Sequence, residues 1–134
     1  MNESDRIFVF GSNMAGRHGK GAALHAYRVY GAKTGIGIGH IGNSYAIPTK
    51  DHHLRSLKLA EIEPFVKGFL AYAFEHPELH FSVTKIGCGL AGYSDHEIAP
   101  MFNSPASTRA NVWFDEGWRE WLLPGKTNFF RPPI

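Results

Sequence analysis

The chain has a single cysteine, Cys88. No intramolecular disulfide can form, which excludes a small cross-linked secreted scaffold. Long apolar runs are missing too. No segment approaches the roughly 20 apolar residues that span a bilayer. The opening MNESDRIFVF carries acidic residues where a secretory signal needs basic ones. The expectation is a cytoplasmic protein with no membrane partner. Charge of one sign is also scarce. A net charge of +2 does not argue for nucleic acid by itself, since a dedicated binder shows a basic stripe. The eight histidines include His52-His53, but their spacing fits no common zinc pattern, so neither a metal nor a cofactor is expected. What remains is 134 residues with 43% hydrophobic and 19% charged, which fits one globular domain rather than disorder.

Glycine is the compositional surplus. Fifteen glycines are about 11% of the chain against an average near 7%, and they cluster. Gly11, Gly16, Gly19 and Gly21 form one group, the five glycines of residues 31–42 a second, and Gly87, Gly89 and Gly92 a third. Glycine allows positive φ and close approach of a ligand to the backbone.

Between the clusters lie periodic segments. Ile7-Phe8-Val9-Phe10 reads as a buried central strand. Residues 22–30 carry Ala22, Ala23, Ala26, Tyr27 and Tyr30 at helical spacing, with Gly31 as the stop. Residues 32–43 read as loop. Ser44-Tyr45-Ala46-Ile47 is a second strand, ended by Pro48. Residues 51–58 are polar and irregular. Residues 61–75 place Ile62, Phe65, Val66, Phe69, Leu70 and Ala73 on one helical stripe. Pro64 belongs in a first turn, so the helix is expected to start near Ile62. Residues 80–86 alternate as a strand. Ser94-Asp95-His96-Glu97 matches a capping box for a short helix over 97–102. Residues 111–114 form a last strand, and 117–123 pack on the body. The expected domain is 1–123, with an extended, proline-containing tail over 124–134 that would serve any homo-oligomer contact. The order β-α-β-α-β-α-β predicts a mostly parallel sheet with helices on both faces. Ligands bind such sheets at the carboxyl ends of the strands.

Two of the glycine clusters leave strand ends. The first is Gly11-Ser12-Asn13-Met14-Ala15-Gly16-Arg17-His18-Gly19-Lys20-Gly21. It opens a helix, whose free N–H groups and dipole favour an anion, and Arg17 and Lys20 add positive charge. It is neither a Walker A motif nor a dinucleotide fingerprint. The second is Gly87-Cys88-Gly89-Leu90-Ala91-Gly92-Tyr93-Ser94, which also precedes a helix. Tyr93 would stack on a ligand or simply pack, Ser94 reads as an N-cap rather than a nucleophile, and Cys88 has no activating base beside it. The alternative is that the glycines only serve loop geometry. Thr49-Lys50 follows the second strand. Lys50 suits a phosphate contact, a nucleophile if desolvated, or a solvated surface lysine.

Together, Asn13-x-x-Gly16-x-x-Gly19-Lys20-Gly21-Ala22, Ile47-Pro48-Thr49-Lys50 and Ile86-Gly87-Cys88-Gly89-Leu90 resemble the macrodomain family. The resemblance is to the branch of DNA ADP-ribosyl glycohydrolase antitoxins and the relatives that free glutamate of ADP-ribose, and it spans residues 7–102. It implies a three-layer α/β fold that binds ADP-ribose. Asn13 would orient the distal ribose. The backbones of residues 19–22 and 87–92 would hold the diphosphate, with Gly11, Ser12, Gly16 and Thr49 around them. Lys50 would act at the anomeric carbon. His18 stands where that family has methionine and would be a further contact. The family's acid in or after the second loop is replaced by Ala91 or Ser94, which leaves Asp95 to assist proton transfer. The acid that helps recognise adenine is missing as well, with Asp5 as the only substitute.

Three functions follow from this reading. The first is a glycohydrolase that removes ADP-ribose from DNA or protein. The second is a non-catalytic binder of ADP-ribose or another NAD-derived metabolite. The third is a nucleic-acid-associated protein with no small ligand, motivated by an isoelectric point of 8.8 and by Arg17, Lys20, Lys50 and Arg55 on one rim. The compact single-domain plan would suit a phage or mobile element.

Overall fold

The computed structural model describes residues 1–103, 110–124 and 128–132. A six-stranded sheet runs in the order β2-β3-β1-β4-β5-β6. The strands are β1 (Ile7–Asn13), β2 (Gly39–Ile41), β3 (Ser44–Lys50), β4 (Phe81–Val83), β5 (Val112–Asp115) and β6 (Phe129–Phe130). Among the described residues only β2 is antiparallel, to β3; the other strand pairs are parallel. Helices α1 (Gly21–Val29), α2 (Leu59–Glu75) and α3 (Asp95–Ile98) complete the layers. No helix of the described residues is long and apolar enough to cross a membrane.

The apolar run that opens β1 is continuous because the sheet is buried on both faces. Ile7 and Val9 join a core with Ile62, Val66, Phe69 and Leu70 of α2. Phe8 and Phe10 point the other way, to Ala26 and Tyr30. A mostly parallel sheet between helices is thus what alternate residues of β1 require.

Several boundaries differ from the sequence expectation. β3 does not stop at Pro48 but continues to Lys50. The last β2–β3 pair is Gly39 with Ala46, so Pro48 lies beyond the neighbour that would miss its N–H. α2 begins at Leu59, before Ile62, because Glu61 accepts the N–H of Lys58 at 2.9 Å and fixes the first turn there. Pro64 consequently sits inside the helix. β4 ends at Val83, which releases Thr84, Lys85 and Ile86 to the following loop. Residues 32–43 contain β2. The tail supplies β6, with Phe130 buried against the body.

Candidate functional site

β1 and β3 lie side by side and parallel, and a register shift between Ser12 and Asn13 sets Asn13 opposite Lys50. Two residues far apart in sequence therefore meet at the carboxyl ends of adjacent strands. A cleft of about 630 Å³ opens there. Its floor includes Gly11, Ser12, Asn13, Thr49 and Lys50. Gly19, Lys20, Gly21, Ala22 and Ala23 form one wall, and Gly87, Gly89, Leu90 and Ala91 another.

Both walls present backbone donors. Lys20, the N-cap of α1, makes no side-chain cap. The first N–H to find a backbone acceptor is that of Leu24, on Lys20 O at 3.1 Å, so the N–H groups of Gly21, Ala22 and Ala23 have no partner among the described residues. In the second loop the N–H groups of Gly89, Leu90 and Ala91 are equally unpartnered there, while Gly92 donates to Gly89 O at 3.0 Å and Tyr93 to Gly87 O at 2.9 Å. The two loops approach each other at Gly11, where a Cβ would stand 3.4 Å from Gly87 N, an ordinary van der Waals contact.

The charge on the lining is one-sided. Arg17, Lys20, Lys50 and Lys85 line the cleft, and no aspartate or glutamate does. The side chain of Lys50 makes no hydrogen bond or ion pair among the described residues. Lys85 reaches Asp95 at 3.5 Å. Arg17, Lys20 and Lys50, which have no ion pair among the described residues, lie beside free N–H groups and suit a ligand with more than one negative charge.

The second glycine cluster, which no motif accounted for, holds the first loop in shape. Gly16 has φ of +68°, and a Cβ there would lie 2.3 Å from the Gly35 carbonyl carbon. A Cβ on Gly37 would lie 1.9 Å from Asn13 O, and Ser12 Oγ donates to Gly37 O. Asn13 is engaged in the same device: Oδ1 accepts the Arg17 N–H at 2.9 Å and Nδ2 donates to Arg17 O at 2.8 Å. Its amide thus builds the loop, and the residue lines the cleft.

Some residues singled out in the sequence do not line the cleft. Gly16 is buried behind it. His18 is buried, with Nε2 at 2.9 Å from Lys33 O and 3.1 Å from Ile36 O, and its ring lies edge-on to Phe10. It braces the loop rather than facing a ligand. Gly92 closes a turn, and Tyr93 donates its hydroxyl to Leu57 O at 2.6 Å. Cys88 is half-buried, and burial, with the Asp95 carboxylate beside it, pushes its thiol up to about 12, so it is no thiolate nucleophile at neutral pH. Asp95 accepts the Trp118 indole N–H at 2.9 Å. Burial alone would raise its pKa, but the Trp118 hydrogen bond and the Lys85 charge leave it lowered. Ser94 and Glu97 form the expected capping box, the Ser94 N–H meeting Glu97 Oε1 at 3.0 Å.

Other residues of the lining were not foreseen. Thr84, Lys85 and Ile86 line the cleft because β4 is shorter than its β-branched pattern suggested. Leu54 also lines it, with φ of +62°. Asp51 Oδ1 accepts the N–H groups of His53 and Arg55 at 2.8 and 3.0 Å, and this turn imposes the left-handed conformation on Leu54. Ser56 then donates to Ala91 O at 2.7 Å, joining this segment to the second loop.

The mixed, mostly parallel sheet with its helix layers is consistent with a three-layer α/β macrodomain fold, as a comparison with solved structures shows. Among solved structures, the chain is similar to the macrodomain of Mycobacterium tuberculosis DarG, with a TM-score of 0.57 and 21% identity over 84% of this chain and 90% of that one. No protein-family model matches the sequence, and no curated protein matches it.

Proposed function

We propose that the chain binds ADP-ribose in this cleft and acts as an ADP-ribosyl glycohydrolase on ADP-ribosylated DNA or protein. The observation that carries the reading is the lining: cations without carboxylates, and free N–H groups from two loops. A diphosphate needs that many donors. The macrodomain fold and the three motifs support the same ligand. Lys50, held opposite Asn13 by strand register, would act at the anomeric carbon of the distal ribose. As an amine it would be the nucleophile; as an ammonium it would stabilise charge on the departing group.

A non-catalytic binder is the second reading. It is favoured by the lack of any carboxylate on the cleft lining and by Asp95 being engaged with Trp118 and Lys85. Calorimetry with ADP-ribose and release assays on ADP-ribosylated DNA and protein separate the two. Wild type is expected to bind and to release ADP-ribose, and Lys50→Ala to slow release at least about a hundredfold while still binding. Equal release by both proteins removes the catalytic reading. No binding at millimolar ligand, about −4 kcal/mol, removes both readings.

A further inference from the structure

Leu54 departs from its surroundings in two ways. Among the described residues it is the one non-glycine with positive φ, at +62°. A bulky side chain is disfavoured in that region, whereas glycine or asparagine enters it readily. It is also the single apolar residue in the turn Asp51-His52-His53-Leu54-Arg55-Ser56. Its side chain is 40% exposed and does not pack on the core, which the following Leu57 and Leu59 do. Neither the turn nor the core calls for leucine at this position.

The turn is tied firmly to the site. The Asp51 N–H donates to Arg55 O at 2.8 Å, and the Leu54 N–H to Asp51 O at 3.1 Å. Lys50 and Ser56 pair across its base in an antiparallel bridge. Beyond it, the Leu57 N–H donates to Thr49 O at 2.9 Å, and Leu57 O accepts the Tyr93 hydroxyl of the second loop. Of residues 51–56, Leu54 alone lines the cleft. Leu90 of the second loop lines it too, 65% exposed and likewise off the core. The hydrogen bond from Ser56 to Ala91 O joins the two segments one residue from Leu90. Two exposed leucines therefore line the cleft on linked segments, one of which starts at Lys50.

We infer that Leu54 and Leu90 form an apolar subsite for the group to which ADP-ribose is linked, and that Leu54 is a specificity residue favouring an uncharged group with an apolar face. The inference rests on the ADP-ribosyl reading of the cleft. Backbone donors and cations hold the charged part of such a substrate, and they offer nothing to an uncharged leaving group. Two leucines do, because covering their exposed surface with apolar surface is favourable. Backbone strain persists only where the surroundings fix it. Here the Asp51 turn does so, and it holds the leucine in place before the substrate arrives, which lowers the cost of binding.

The test is calorimetry on the full chain with two ADP-ribose derivatives, carrying a methyl or a benzyl group at the anomeric carbon of the distal ribose. Both groups are carbon-linked, so neither can be hydrolysed. The ratio of the two affinities is read within each protein, and any loss common to both ligands cancels. Wild type is expected to bind the benzyl form about tenfold more tightly. Leu54→Asn has a similar shape and suits positive φ, so it keeps the turn and is expected to bring the ratio near one. Leu54→Met, which keeps an apolar side chain, is expected to retain the ratio. Leu90→Ala is expected to lower it about threefold, and it decides the matter if Leu54→Asn does not fold. Equal binding of both ligands by wild type, or a ratio unchanged in Leu54→Asn, overturns the subsite and leaves the cleft reading standing. Loss of the ratio in Leu54→Met as well as in Leu54→Asn assigns Leu54 to the turn alone and overturns the subsite too. Failure of wild type to bind either ligand overturns the cleft reading and this one together.

Discussion

At the residue scale, Asp95 illustrates how a side chain chosen for chemistry can be committed to structure. Its carboxylate accepts the indole N–H of Trp118, which is fully buried. Removing the acceptor leaves a buried donor without a partner, at a cost of about 1–3 kcal/mol. Asp95→Ala is therefore expected to lower stability by that amount in urea denaturation at pH 7. The pH dependence has a definite sign. The folded pKa of Asp95 is lowered, so its stabilising contribution is full above the unfolded value and lost as the pH falls through the folded one. The wild type should lose this contribution below about pH 4, and the variant should show a flatter acid limb. A variant as stable as wild type, with the same acid limb, would contradict the assignment. Gly37 makes the complementary point. A Cβ there would meet the Asn13 carbonyl oxygen at 1.9 Å, so the absence of a side chain is what lets the clasp close.

At the scale of elements, α2 shows packing overriding propensity. Its buried stripe, Ile62, Val66, Phe69, Leu70 and Ala73, stabilises by about 1.5–3 kcal/mol per large side chain. That is enough to carry an interior proline. Pro64 is exposed and supplies no N–H to the carbonyl one turn earlier. Pro64→Ala is expected to raise stability by about 1–2 kcal/mol, read as a higher urea midpoint. An unchanged or lower midpoint would show that the helix has adapted fully to the ring. The same override explains the early helix start. Proline statistics placed it near Ile62, but the hydrogen bond from Lys58 to Glu61 places it at Leu59.

For the whole molecule, a small net charge conceals an uneven distribution. The chain is +2 overall, yet four cations and no carboxylate line one cleft. Arg17 and Lys20 are exposed, and Lys50 and Lys85 half-buried, so much of their attraction for an anion is open to screening. Raising the salt from about 0.05 M to about 0.5 M is expected to weaken ADP-ribose binding about three- to tenfold, measured by calorimetry. A salt-independent affinity would mean that backbone donors, not side-chain charge, dominate.

Local patterns were sufficient for much of the fold. The apolar β1, the stripe of α2 and the Ser94–Glu97 capping box are each set by neighbours in sequence, and three ordered motifs pointed to one cleft. The remainder depended on partners distant in the chain. β2 begins at Gly39, is followed by Gly42, and exists because β3 lies beside it. β6 comes from a proline-containing tail that only the β5 edge makes into a strand. Lys85 and Leu54 reach the cleft because β4 ends early and because Asp51 closes a turn. Side-chain spacing determined which segments would be strands and helices, since burial on a regular element has a period. Which side chains face the ligand, and that Asp95 faces Trp118 instead, was decided by tertiary structure, because hydrogen-bond partners and strand register are set by residues far apart in sequence.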